Sequence, residues 1–299
     1  MELVFFIEVL AGGLLAGVMY ALVALGFVLI YKASGVFNFA QGSMVFFAAL
    51  TFVSLTERGW NFWLALVVTL GVMVLLAVAT ERVVLRPLVN QAPITLFMAT
   101  IGLAFVLEGL SQLLWGSQPH GLELGIPDVP MEWLSQKWNV NISQFDLFAA
   151  FVAGALVAVL ALLFQKTRIG RALRAVADDH QAALAVGIPL QHIWAIVWAV
   201  AGFVALVAGV MWGVRNGVQY ALTFVALKAL PVLILGGFES ILGAIIGGLI
   251  IGAGEKLAEV FLGPSMGGGI EIWFAYVVAL LFLLFRPQGL FGERIIERV

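Results

Sequence analysis

The run VLAGGLLAGVMYALVALGFVLIY, Val9–Tyr31, decides what kind of molecule this is. It carries no charged side chain and reaches the roughly 17–25 residues that take a helix across a bilayer. Charge-free runs of similar size follow at Ala33–Thr56, Gly59–Thr80, Pro87–Leu107, Leu147–Gln165 and Gln181–Val214. Of 299 residues, 63% are hydrophobic and 11% charged, against about 25% charged in soluble domains. Strand-sized alternation is missing. The expected fold is therefore an all-α integral membrane protein, one transmembrane domain over residues 1–299 with about 8–9 crossings.

Basic residues orient such a bundle, because Lys and Arg collect on the cytoplasmic side. Lys32, Arg82 with Arg86, the Lys166–Arg174 cluster and Arg286 are expected there, with the N-terminus outside and the tail, bearing Arg294 and Arg298, inside. The first run reads as a retained span, since it is too long for a signal peptide and Glu2 and Glu8 stand where a basic cluster would precede one. Gly116–Gln144 is then a long outer loop, with Trp133 and Trp138 expected against the interface. Ala221–Leu235 is short, contains Lys228 and Pro231, and suits a half-helix. Ile241–Ala253 is expected to stop before Glu255, Lys256 and Glu259.

The loop Lys166–Leu190 between two spans is the best contact surface in the sequence. Lys166, Arg168, Arg171 and Arg174 crowd its first half. Asp179 is a good N-cap, Gly187 a good stop and Pro189 a barrier to continuation, which predicts a short helix over His180–Val186. Its alanines permit close approach, and Leu184 and Val186 offer apolar surface. An amphipathic connector lying on the membrane would look the same.

Polar side chains inside apolar runs line a path or pair with one another, since a central charge costs roughly 2.5–3.5 kcal/mol on insertion scales. Three groups qualify: Asn38, Gln41 and Ser43; Thr95, Thr100 and Glu108; Lys228 and Glu239. They would line the way for a polar or zwitterionic solute, or simply hold helices together. Gly243, Gly247, Gly248 and Gly252 have the spacing that lets helices meet backbone to backbone, within the chain or at a subunit interface. GVMYAL at Gly17–Leu22 is echoed by GVQYAL at Gly217–Leu222, as duplicated transporter halves can be.

Enzymes find no support. The chain has 0 cysteines and 3 histidines, no His-Glu-x-x-His and no phosphate-cradling Gly-x-x-x-x-Gly-Lys-Ser/Thr loop. No catalytic residue, metal site, cofactor or nucleic-acid footprint is expected. An ATPase-independent channel or secondary transporter would instead give Glu108, Lys228 and Glu239 an ion role.

Gln181, Ala182, Ala183 and Gly187 resemble the Glu-Ala-Ala-x-x-x-Gly coupling loop of bacterial ABC importer permeases, with Gln181 in place of the acid and Ile188-Pro189-Leu190 for the usual Ile-x-Leu-Pro. Asn38-Phe39-Ala40-Gln41-Gly42, Arg86-Pro87-Leu88, Ala99-Thr100-Ile101-Gly102, Gly170–Ala175 and Arg286-Pro287-Gln288-Gly289-Leu290-Phe291-Gly292 extend the likeness over nearly the whole chain. Together they resemble the smaller subunit of the high-affinity branched-chain amino acid ABC transporter permeases. The resemblance implies a multi-pass subunit of the bacterial inner membrane, bathed in lipid. Its partners would be a homologous second permease, cytoplasmic ATPase subunits and a periplasmic substrate-binding protein docking on the outer loops. Arg171, Arg174, Asp178, Asp179, Gln181, Ala182, Ala183, Leu184 and Gly187 would form the ATPase coupling surface. Relatives of this kind also carry urea and short amides.

Overall fold

A backbone surrounded by hydrocarbon must satisfy its own N–H and C=O groups, and this chain does so with helices. The computed structural model describes residues 2–89, 91–178 and 180–292. In order, the helices are α1 (Glu2–Ser34), α2 (Gln41–Glu57), α3 (Phe62–Ala79), α4 (Pro93–Trp115), α5 (Glu132–Trp138), α6 (Gln144–Lys166), α7 (Arg168–Asp178), α8 (His180–Ala185), α9 (Leu190–Asn216), α10 (Val225–Gly236), α11 (Ile241–Met266) and α12 (Ile270–Phe285). A π-helical turn, Thr80–Leu85, extends α3, and a 3-10 turn, Tyr220–Phe224, leads into α10. Among the described residues there is no strand, only the isolated bridges His120 to Val218 and Pro130 to Ser143.

Among the described residues six helices are long and apolar enough to cross a membrane: Leu3–Ser34, Phe62–Leu88, Pro93–Trp115, Gln144–Lys166, Leu190–Asn216 and Ile241–Met266. Tyr220–Gly236 and Ile270–Phe285 are shorter apolar helices. With 17 residues, α2 is about 26 Å long, and its residues from Gln41 to Ser54 are all buried. The chain is thus a multi-pass helical membrane protein.

The chain divides into two units. One comprises Leu25–Glu123 and Ala158–Leu227. Here α2, α4 and α9 run the same way. Gln41 reaches the Ala201 carbonyl, and Gly209 meets the backbone of Val45. Phe39 N–H donates to Thr100 Oγ1 at 3.1 Å and Phe47 packs edge-on against Trp115. α3 runs back against α9 and α2, its start capped by the Asn61 side chain on Trp63 N–H. At one end of this unit His120 Nδ1 sits 3.0 Å from Glu57 Oε1 and exchanges backbone hydrogen bonds with Val218. At the other, Arg86 bonds Glu81 and the Gln191 side chain, beside α7, α8 and the start of α9.

The other unit comprises Met1–Ala24, Leu124–Val157 and Lys228–Val299. Its seam is made of glycines. A Cβ on Gly17 would stand 2.5 Å from the Gly248 carbonyl, and one on Gly13 2.7 Å from that of Gly252, so only the absence of side chains lets α1 and α11 meet. Gly243 and Gly247 face α10 at Gly236 and Val232 in the same manner. This whole glycine face is therefore used inside the chain, which overturns the subunit-interface version of its role.

Three further expectations are corrected. α11 does not stop at Ala253 but continues to Met266, because its charges find partners: Glu255 with Lys228, Lys256 with Glu271 at 3.6 Å, and Glu259, which accepts the Gly269 and Glu271 N–H groups at 3.0 Å each at the start of α12. The first half of the Lys166–Leu190 loop is a helix, α7, with Leu173 and Val176 buried. The echo of Gly17–Leu22 in Gly217–Leu222 has no structural counterpart, since the former is the middle of α1 and the latter a turn with Gly217 at φ +72.

Candidate functional site

Two places combine the residues singled out by the sequence. The first is built on the segment Asn38–Ser43. Asn38 Oδ1 accepts the Ala40 N–H at 3.1 Å, turning the chain into α2, while Asn38 Nδ2 donates to Gln41 Oε1 at 3.3 Å. Both residues are fully buried. Thr100 Oγ1 receives Phe39 N–H and donates to a carbonyl of its own helix, Phe97, at 2.8 Å. The Asn-Phe-Ala-Gln-Gly and Ala-Thr-Ile-Gly stretches are thus two sides of one joint between α2 and α4.

One helical turn on, the joint becomes chemical. Ser43 Oγ donates to Glu108 Oε1 at 2.8 Å, and Tyr220 OH donates to Glu108 Oε2 at 3.2 Å. Tyr220 reaches this point because Gly42 lets the 3-10 turn settle on α2: a Cβ there would run into the Thr223 carbonyl. Edge-on contacts with Phe46 at 6.2 Å and Phe224 at 5.8 Å hold the tyrosine ring. Glu108 is half-buried, while Tyr220 and Phe224 are exposed. The sequence had kept Ser43 and Glu108 in separate groups and had not named Tyr220.

Lys228 does not pair as grouped. Its ammonium donates to Glu255 Oε1 at 2.8 Å and lies 5.9 Å from the centre of the Tyr20 ring. Glu255, on the far half of α11, was missed because it falls after the apolar run. Glu239 sits in the turn between α10 and α11.

The second place is α7 and α8, packed on each other and on α9. Arg174 donates to the carbonyls of Phe164 and Gln165 at 2.5 and 3.4 Å, and Arg171 to that of Lys166 at 3.5 Å. Both therefore satisfy the orphan acceptors that end α6. In α8, Ala183 is buried, whereas Ala182, Leu184 and Ala185, with Val186 just beyond the helix, are exposed. Gly187, at φ +84, ends the helix. Asp178 and Gln181 lie on these helices, and Asp179 falls outside the described residues. Among the described residues no cluster of His, Cys, Asp and Glu could hold a metal ion.

The closing Arg286–Gly292 stretch also has a structural task. Leu290 and Phe291 N–H groups donate to the Leu235 and Gly236 carbonyls at 2.8 and 3.1 Å, completing the end of α10.

Comparison with known proteins places this geometry. The high-affinity branched-chain amino acid transport permease LivH of Escherichia coli (strain K12) is 28% identical over 100% of this chain and 99% of its own. BraD, the corresponding permease of Pseudomonas aeruginosa, is 29% identical over the same shares. The fructose import permease FruF of Bifidobacterium longum is 24% identical over 90% of this chain and 75% of its own. The family described as "Branched-chain amino acid transport system / permease component" matches residues 9–286. With that match spanning its helices from α1 to α12, the chain belongs to the family of branched-chain amino acid transport system permease components.

Proposed function

We propose that this chain is one of two membrane subunits of an ATP-driven importer of branched-chain amino acids, set in the bacterial inner membrane. The observation that carries the reading is full-length likeness to permeases named for that transport. The six long helices, the two shorter ones and α2 make up its eight to nine crossings. The end of the first unit that gathers Arg86, Lys166, Arg168, Arg171 and Arg174 faces the cytoplasm, and the N-terminus lies outside. There α8 serves as the coupling helix, offering Leu184 and Val186 to a separate ATPase that closes on ATP. A homologous second permease completes the path, and a periplasmic binding protein docks on the 116–144 loop. Asn38, Gln41, Thr100 and Glu239 shape or flank the path, and Ser43 and Glu108 meet the solute.

A second reading is import of an uncharged solute such as urea or a short amide; the fructose import permease shows that a relative of this chain is named for a solute other than an amino acid.

Tagged chain extracted in mild detergent should bring down an ATPase and a second permease, and membrane vesicles should take up labelled leucine only with ATP. Leu184→Glu should abolish both co-purification and uptake. Uptake that proceeds without any ATPase, as in a channel or secondary transporter, overturns the reading, as does labelling of a cysteine at Arg171 from outside the cell.

A further inference from the structure

Of the polar groups around α2, most are already spent. Asn38 and Gln41 bond each other and nearby backbone, and Thr100 joins α2 to α4. Glu108 is different. Its two oxygens receive one hydroxyl each, from Ser43 and Tyr220, whereas an ionised carboxylate has about four acceptor sites. Among the described residues no Lys, Arg or His pairs with it. A carboxylate within an apolar helix and open on one side is costly against lipid tails, so its open side meets water, solute or a cationic group. The hydroxyls fix both oxygens and the Phe46 and Phe224 edges fix Tyr220, so the site is set before anything binds.

We propose that Glu108 receives a primary ammonium group, the cationic end of an amine-bearing, zwitterionic solute. The proposal rests on the import reading above and assigns to Glu108 the recognition of its substrate's ammonium end. An ammonium placed on the unfilled side of the carboxylate neutralises the charge and forms charge-assisted hydrogen bonds. A urea or sugar has no positive charge to offer, so the carboxylate favours the amino acid over the uncharged alternatives. Ser43 and Tyr220 act as positioning residues.

The test uses purified full-length chain in lipid nanodiscs and saturation-transfer NMR with three probes of one carbon skeleton. These are L-leucine, L-leucinamide, which keeps the ammonium without the carboxylate, and 4-methylpentanoate, which lacks the ammonium. Leucine and leucinamide should give signals that fall at least tenfold in Glu108→Gln and are partly retained in Glu108→Asp. The 4-methylpentanoate signal should not depend on Glu108. Should Glu108→Gln fail to fold, a Ser43→Ala/Tyr220→Phe double variant, which keeps the carboxylate but frees it, should weaken leucinamide binding at least threefold.

The proposal is overturned if leucinamide gives no signal with the wild-type chain, if its signal is unchanged in both variants, or if 4-methylpentanoate behaves as leucine does. It is equally overturned if sodium chloride, at the ionic strength of a choline chloride control, abolishes the leucinamide signal, since Glu108 then holds an inorganic cation. A chain that co-purifies with an ATPase and imports leucine, yet binds leucinamide independently of Glu108, loses this proposal alone.

Discussion

Two carboxylates inside apolar helices are treated in opposite ways. Glu255 on α11 is buried, and the Lys228 ammonium stands 2.8 Å away. Glu108 on α4 is half-buried and has only hydroxyl partners. A charge with an opposite charge in place is a fastening. A charge held by neutral donors with room beside it is a receptor. Net composition cannot tell these apart, because both are one acid in an oily segment; their surroundings can.

That contrast can be broken, beginning with the largest effect. Lys228→Met leaves Glu255 buried and unpaired and should cost about 3–5 kcal/mol, read as a fall in the thermal unfolding midpoint in detergent. The double variant Lys228→Met/Glu255→Leu should recover most of the loss; if it does not, the pair is no fastening. Gly17→Leu forces a side chain into the Gly248 backbone and should cost about 1–3 kcal/mol by overpacking, again read by thermal unfolding. Gly42→Ala should cost about 1 kcal/mol at the lower end of the same range, and by displacing Tyr220 should raise the reactivity of its hydroxyl region to mild iodination. Glu108→Gln sharpens the comparison from the other side, since it should leave stability within about 0.5 kcal/mol. Leu184→Glu, on an exposed face of α8, should be equally silent in unfolding while abolishing uptake.

The main framework was legible because apolar runs of membrane length permit little besides helices. Reading charges as helix ends was the error, and α11 shows why: Glu255, Lys256 and Glu259 stop a run of hydropathy but not a helix whose other elements supply partners. α7 could have been found, since Gly170, Leu173 and Val176 recur every three residues and are the positions that became buried. The joint Asn38–Ser43 was recognisable as polar and glycine-broken, but that Ser43 would meet Glu108 depends on α2 and α4 lying parallel with α3 between them in sequence. Tyr220 had no local signal at all. Its role follows from Gly42, which lies far earlier in the chain and removes the side chain that would have kept the turn away.

The late hydrogen bonds from Leu290 and Phe291 to the end of α10 carry a consequence for biosynthesis. A ribosome delivers α10 well before those donors exist, so its last carbonyls must wait for water, lipid headgroups or a membrane chaperone. Nascent chains arrested before Leu290 should therefore remain protease-sensitive around Gly236-Gly237, and release of the tail should lock that region shut.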